Sequence, residues 1–400
     1  MNCNERIKQI EEDINLSKVL TPCFIVHEGL LEDNLKILDS VQKATDCKIL
    51  LALKGFAMYS TFPVARKYLY GVCASSPDEA RLGREEFGRE VHSFAPAYSE
   101  EDMEKLLKYS DHIIFNSISQ WKKYKPKIDG YNKKNKGKNG KQIECGLRIN
   151  PEYSEIKVAL YNPCTANSRF GILAKDLEDV DMEGISGLHF HVMCEQGSDT
   201  LKRVLEHFEK RFGKYIKENK NIKWVNFGGG HHITREGYDL KLLCNLVKGF
   251  KERYDVQVYL EPGEAIGLNT GILVASVLDI VNNGMDIAIL DTSAEDHMPD
   301  VLAMPYRPEI IGAGKSKEYD HTYRLGGVTC LAGDVIGDYS FRQQLKIGDK
   351  IAFLDMAHYS MVKTTTFNGI QLPSIALYDP IKKRIRIVKK FGYEDYKRRL

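Results

Sequence analysis

The chain has no CxxC pair, and its nine cysteines (Cys3, Cys23, Cys47, Cys73, Cys145, Cys164, Cys194, Cys244 and Cys330) are odd in number and scattered. Disulfide frameworks and zinc ribbons need paired thiols at short spacing, so neither is expected, and reduced thiols imply a cytoplasmic setting. Long apolar runs are missing as well. No stretch approaches ~18 uninterrupted apolar residues, and the opening MNCNERIKQIEEDINLSKVL lacks the apolar centre of a signal peptide. A soluble, internal protein is expected. Charge of one sign is absent: 57 Lys and Arg against 55 Asp and Glu leave +2, which argues against holding nucleic acid or a membrane surface by bulk charge. No GxGxxG follows an early strand, so an open doubly wound dinucleotide fold has no support.

What is present is ordinary globular chemistry, 43% apolar and 28% charged over 400 residues, enough for two or three domains at ~150 residues each. Short apolar, β-branched runs recur at Lys48–Leu53, Gly71–Ala74, Val91–Phe94, His112–Phe115, Cys145–Ile149, Ile185–Val192, Lys223–Phe227 and Val256–Leu260. Helical segments separate them: Ser76–Phe87, with Ser76 as N-cap, and Asp199–Lys217, with Leu201, Val204, Leu205, Phe208, Phe212 and Ile216 in one stripe. Eight strand–helix units predict an α/β fold, a closed (β/α)8 TIM-type barrel. Beyond Leu268 the runs Thr270–Val281, Ile287–Leu290, Tyr323–Val328, Lys350–Phe353 and Arg384–Val388 predict a second, mostly β domain. The expected division is 27–265 for the barrel and 1–26 plus 266–400 for the β domain. Asn132–Lys141 (NKKNKGKNGK), with five lysines and no aromatic on which a base could stack, reads as a solvated loop.

Barrel active sites lie at the carboxyl ends of the strands. There the sequence places Lys54, Ser75, Arg148 with Asn150, His191, Gly228–Gly230 and Glu261. A lysine at the barrel mouth, desolvated to a lowered pKa, is suited to condense with an aldehyde. Three glycines after the seventh strand let backbone N–H groups converge on a phosphate. The Glu261 carboxylate could hold a heteroaromatic nitrogen protonated, or merely cap the following helix. For His191 three readings stand: a core histidine, a metal ligand with Cys194, or an imidazole stacked on an aromatic cofactor. No established metal spacing links His189, His191, His231 and His232, so no metal is expected. Lysine, phosphate loop, carboxylate and stacking histidine together describe a pyridoxal 5'-phosphate site.

These residues also carry a family resemblance that runs nearly the whole length: ALKG at Lys54, LRINP at Arg148, SRFGI at Phe170, HFHV at His191, GGG at Gly228, EPG at Glu261, VTCLAGD at Cys330–Asp334, and AHYSM with FNG around Tyr359. The chain resembles the alanine racemase-like pyridoxal phosphate decarboxylases, which include diaminopimelate and ornithine decarboxylases. Within that group GLHFHVMCEQ, NFGGGHHIT, EPGEA, MPDVLAMPYRP and CLAGDVIGDYSF look most like the carboxynorspermidine and carboxyspermidine decarboxylases. The resemblance implies that Lys54 carries the cofactor covalently, His191 stacks on its ring, Glu261 pairs its ring nitrogen, and Gly228, Gly229, Gly230 and Tyr359 bind its phosphate, with Arg148 nearby. It implies that Cys330 protonates the carbanion, that Asp334 contacts the substrate amine, and that a homodimer shares its active sites.

Two positions depart from the family pattern. Glu264 stands where relatives commonly have arginine, which would repel a distal carboxylate such as that of diaminopimelate and favour a polyamine precursor. The carboxylates expected to meet its ammonium groups are Glu195, Glu264, Asp296 and Asp300, against the plainer reading of Glu264 as a solvated first-turn residue. Cys194 replaces a serine. The other readings are decarboxylation of diaminopimelate or ornithine, and a non-catalytic pyridoxal phosphate binder.

Overall fold

The computed structural model describes residues 2–136 and 141–400; positions 137–140 of the expected lysine-rich loop lie outside the described residues. The chain divides into two compact units, Asn34–Ile266 and a second assembled from Met1–Asp33 with Gly267–Leu400.

Strands are numbered in chain order from β1 (Cys23–His27). The first unit is a closed barrel of eight strands, β2 (Lys48–Ala52), β3 (Gly71–Ala74), β4 (Glu90–Phe94), β5 (His112–Phe115), β6 (Glu144–Arg148), β7 (Ile185–His189), β8 (Trp224–Asn226) and β9 (Gln257–Leu260). All neighbours are parallel, and β2 closes onto β9 through Lys48 opposite Tyr259. Parallel strands are covered on both faces, which is why each reads as a short, continuous apolar run. Helix Ser198–Glu218 shows the outer layer: Leu201, Val204, Leu205, Phe208, Phe212 and Ile216 are all buried along the expected stripe, each contributing roughly 1.5–3 kcal/mol of burial. Inside the barrel Trp224 lies so close to Gly187 that a Cβ there would stand 2.0 Å from the indole, so glycine is what admits the large ring.

The expected segment Ser76–Phe87 is helical in two parts. Ser76 caps Pro77–Leu82 by accepting the Glu79 N–H, and a wider turn, Gly83–Phe87, ends on left-handed Gly88. The lysine-rich loop needs correction at its start. Helix Ile118–Asn135 runs on through Asn132–Asn135, because the Asn132 side chain exchanges hydrogen bonds with both the N–H and the C=O of Ile143 and pins the last turn.

The second unit is a sheet of order β12-β14-β13-β11-β10-β1-β16-β17, with β15 also paired to β10. Its strands are β10 (Gly271–Asn282), β11 (Asp286–Leu290), β12 (Ala313–Lys315), β13 (His321–Gly326), β14 (Val335–Phe341), β15 (Lys350–Leu354), β16 (Ser374–Asp379) and β17 (Arg384–Lys389). Five were expected; β12, β14 and β16 were not. β14 (VIGDYSF) carries a glycine and an aspartate at its centre and buries its residues irregularly, so it lacks the period-two signal of a half-buried strand. The N-terminal helix Cys3–Asp13, held by an Asn2–Glu5 capping box, adds Ile10 to a core with Ile14, Val19, Ile25, Ile272 and Val274. No helix among the described residues is long and apolar enough to cross a membrane.

Candidate active site

In the barrel unit the residues just past the strand ends converge. Lys54, two residues beyond β2, places Nζ 3.3 Å from Nε2 of His191. The Gly229 N–H donates to Nδ1 of that ring at 2.7 Å, so the neutral imidazole carries its proton on Nε2. That proton points at Nζ, and only an uncharged amine can accept it. Electrostatics agree: Lys54 is exposed at the mouth yet ringed by protein that displaces most of its water, and this desolvation, with the Arg148 charge, lowers its pKa. Burial, then the charges of Lys54 and Arg148, likewise push His191 well below an ordinary histidine. Desolvation thus favours the uncharged form of both groups, the form in which an amine captures an aldehyde.

Arg148 is buried, its guanidinium stacked between Phe94 (4.5 Å) and Phe170 (4.3 Å) and donating to the His191 carbonyl at 3.2 Å. Burial draws it down to about 10. It fixes the chain that carries His191. Deeper lies Glu261, whose Oε1 accepts from Asn226 Nδ2 at 2.7 Å and whose Oε2 meets His189 Nε2 at 3.2 Å. The Cys73 thiol is a third donor, kept protonated by burial and by the Glu261 charge. Burial alone would raise Glu261, but His189 and Asn226 outweigh it and hold the carboxyl at about 2. The result is a buried, permanently charged carboxylate. Glu79 belongs to the same wall: its Oε2 accepts the Ser75 N–H at 2.6 Å, and burial raises its pKa.

The loop after β8 shows why glycine occupies three consecutive positions. A Cβ on Gly228 would lie 2.4 Å from the Phe190 carbonyl, on Gly229 2.4 Å from the Glu261 carbonyl, and on Gly230 2.0 Å from the Met193 carbonyl. Gly228 and Gly230 have φ of +68° and +82°. The chain is drawn in against the segments that follow β7 and β9, with the Gly228 N–H donating to Asn226 Oδ1 at 2.9 Å, so that no Cβ stands over the loop beside Lys54 and His191. An amine, an imidazole, a charged carboxylate and a cradle without Cβ atoms fit pyridoxal 5'-phosphate. Glu264 begins the short helix Glu264–Gly267, with Oε1 3.3 Å from His232 Nε2, so it has an imidazole partner within its own barrel. Glu195 is exposed in a left-handed turn, φ +52°, and its carbonyl accepts from Arg235 at 3.2 Å.

In the sheet unit three segments are tied into one cluster. The backbone N–H of exposed Cys330 donates to Asn368 Oδ1 at 2.7 Å. Asp296, fully buried, accepts Thr365 Oγ1 at 2.6 Å and the Phe367 N–H at 2.7 Å, while burial and then neighbouring Asp334 raise its pKa. Asp334 differs from a free amine-binding carboxylate. It accepts from the Ala294 N–H (2.7 Å), Ser293 Oγ (3.0 Å), and the Thr329 N–H (3.2 Å) and Oγ1 (2.7 Å), so its oxygens are spent joining the Cys330 loop to the 293–296 turn. Asp300 also departs from the expectation of an open carboxylate, since Lys363 Nζ contacts it directly. Tyr359 is half-buried at φ +45°, and its carbonyl accepts the Lys363 N–H at 3.0 Å.

Sequence reasoning placed Lys54, Arg148, His191, the glycines and Glu261 in one barrel mouth, where the structure brings them together. It did not single out Asn226 or Cys73 as partners of Glu261, although Asn226 ends β8, where the strand-end rule could have found it, and Cys73 lies one residue short of the end of β3. Alternation within one strand, which would put His189 and His191 side by side, fails because β7 stops at His189; one imidazole meets Glu261 and the other Lys54.

Residues 24–357 match the family described as pyridoxal-dependent decarboxylase, C-terminal sheet domain. The chain is 47% identical over 390 residues to a carboxynorspermidine/carboxyspermidine decarboxylase of Campylobacter jejuni, covering 95% of this chain and 98% of that one. It is 43% identical over 393 residues to a carboxyaminopropylagmatine decarboxylase of Synechocystis, covering 98% of each. A crystal structure of carboxynorspermidine decarboxylase complexed with norspermidine, from Campylobacter jejuni, is similar with a TM-score of 0.87 and 45% identity over 96% of this chain and 100% of that one.

Proposed function

Because this chain belongs to the pyridoxal-dependent decarboxylase family, it is a carboxy-lyase that works with pyridoxal phosphate, and we propose that it removes the α-carboxylate of carboxynorspermidine and of carboxyspermidine in polyamine biosynthesis. The near-full-length likeness to the norspermidine-bound decarboxylase carries this reading. Bound pyridoxal phosphate supplies the electron sink for the pair left at Cα when carbon dioxide departs.

The roles follow from the geometry. Lys54, desolvated in its pocket, would be the residue that holds the cofactor covalently until the substrate's α-amine takes its place. His191, its tautomer fixed by Gly229, would lie against the cofactor ring, and Glu261, which stays charged, would hold the ring nitrogen protonated. Gly228, Gly229 and Gly230, which present no Cβ, would form the floor against which the phosphate sits, joined by Tyr359. Cys330, exposed on a loop braced by Asp334, returns a proton to Cα. The family resemblance supports a homodimer in which the sheet unit of one copy serves the other copy's barrel, and the unpaired cysteines support a cytoplasmic setting. Glu264, with Glu195, answers the distal ammonium groups. The two substrates differ by one methylene, worth only ~1–3 kcal/mol in a pocket, so both are used.

A second reading has its own support. The 43% relative acts, by its name, on carboxyaminopropylagmatine, whose tail ends in a guanidinium, and a glutamate at position 264 suits that cation as well. Carbon dioxide release by the cofactor-loaded enzyme from carboxynorspermidine, carboxyspermidine, carboxyaminopropylagmatine, diaminopimelate and ornithine separates the readings. The highest kcat/KM is expected for the first two. A higher value for the agmatine derivative moves the assignment to the second reading, and a higher value for diaminopimelate or ornithine overturns both.

A further inference from the structure

At the amino-terminal end of the barrel, opposite Lys54, the closure of the sheet assembles a second group of polar side chains. Glu90 begins β4, His92 follows on the same face, and His112 begins β5. One ligand atom from each lies within 4.8 Å of the others, the single such group of three or more found among the described residues. The two imidazoles stack with centroids 3.8 Å apart. His92 is 1% exposed and His112 6%, and Nδ1 of each is buried without a hydrogen-bond partner. Their Nε2 atoms face the one carboxylate. His92 Nε2 is 3.2 Å from Oε2 of Glu90, whereas His112 Nε2 is 4.0 Å from Oε1. The second distance is too long for a hydrogen bond and would close by about 0.6 Å for both atoms to bind one tetrahedral ion at ~2.0–2.1 Å.

We propose that Glu90, His92 and His112 form a binding site for a divalent transition-metal ion of the zinc class. Two imidazoles and a carboxylate are the donor set such ions prefer. Neither Nδ1 makes a hydrogen bond, and the packing of both rings against Trp224 and Tyr259 holds their Nε2 atoms toward Glu90. Lys48 is the competing cation, 3.8 Å from Glu90 Oε1 and 3.2 Å from Tyr259 Oη, with the Tyr70 ring 4.0 Å away. An ion on Glu90 and His112 leaves Lys48 to the two tyrosines. Strands β4 and β5 would then be clamped at the end of a barrel where residues serve stability.

The test is cobalt(II) titration of the chelator-treated, cofactor-loaded enzyme. One equivalent should give ligand-field bands without a thiolate charge-transfer band, two exchangeable paramagnetically shifted proton resonances from two imidazoles, and competition by zinc. Affinity should fall at least tenfold in His112→Asn and in Glu90→Gln, whose folding is checked by circular dichroism and by retention of the cofactor's visible band. The wild-type resonances decide the matter should either variant fail to fold. No ligand-field bands at millimolar cobalt, a thiolate band, fewer than two shifted resonances, or undiminished binding in a folded variant would overturn the proposal.

Discussion

Replacing Gly230 by alanine probes the part of the site that no side chain announces. The new Cβ would stand 2.0 Å from the carbonyl oxygen of Met193, 2.2 Å from its carbon and 2.7 Å from the Cys194 nitrogen, all backbone atoms without a rotamer to yield. Gly237 on the same loop is the internal control: its φ of +75° matches the +82° of Gly230, but nothing lies within 4 Å of its Cβ position. Both substitutions carry the left-handed penalty of ~1–2 kcal/mol. Gly230→Ala adds overpacking of ~1–3 kcal/mol, since residues 193–194 must shift to make room. That shift also pulls on His191, two residues earlier, and loosens the bond from Gly229, worth ~0.5–1.5 kcal/mol. The expected cost is therefore ~1–2 kcal/mol for Gly237→Ala and ~3–6 kcal/mol for Gly230→Ala. Urea unfolding of the cofactor-free proteins followed by circular dichroism gives the first comparison, and equilibrium dialysis against pyridoxal phosphate the second. Gly230→Ala should unfold at distinctly lower urea and bind cofactor more weakly, with Gly237→Ala near wild type in binding. Indistinguishable variants in both assays would refute the argument from close approach.

Other consequences are equally open to measurement. Lys54→Ala should lose turnover, and borohydride should no longer fix the cofactor to the chain by intact mass; decarboxylation at the wild-type rate would remove Lys54 from its role. Glu261 is depressed from 4.5 to about 2, so the stability it confers is present above pH ~4.5 and is lost as pH falls toward 2, roughly 3 kcal/mol at ~1.4 per unit. His189, also lowered by burial, adds a loss that begins as pH falls through 6.5, the ordinary histidine value. In a pH series of unfolding midpoints, Glu261→Gln should flatten the steep stretch between pH 4.5 and 2, and an unchanged slope would show that the charge is not held as described. Asp334→Asn should lower the melting temperature more than Asp300→Asn, because it turns an acceptor of several buried donors into a partial donor, at ~1–3 kcal/mol, whereas a partly exposed ion pair contributes ~0–1. Equal shifts would contradict the bracing role. Glu264→Arg should raise KM for triamine substrates while leaving cofactor affinity near wild type; parallel losses would place Glu264 at the cofactor instead.

The barrel was legible because parallel strands covered on both faces leave short apolar runs, and because the rule of strand carboxyl ends turns a list of runs into a list of site residues. β14 escaped because Gly337 and Asp338 interrupt it, and its pairing with β12 and β13 supplies what its own pattern lacks. Asp334 could be found from its motif but not understood. Its donors are largely backbone N–H groups and hydroxyls from a segment some forty residues away, which carry no sequence signature. The Glu90–His92–His112 group was invisible for a related reason: the third member joins only when β5 pairs alongside β4. Glu264 could be read as an acid where relatives have a base, but its His232 partner depends on how the loop after β8 folds.

The central claim, a decarboxylase whose site selects a polyamine-like tail, is tested most directly by competition. Cofactor-loaded enzyme is given equimolar carboxynorspermidine, carboxyspermidine, diaminopimelate and ornithine in one vessel, and each amine product is followed by mass spectrometry. The account predicts that norspermidine and spermidine form first, at rates within about a hundredfold of each other, as one methylene allows. Lysine from diaminopimelate or putrescine from ornithine appearing ahead of them, or no decarboxylated product at all, would contradict it.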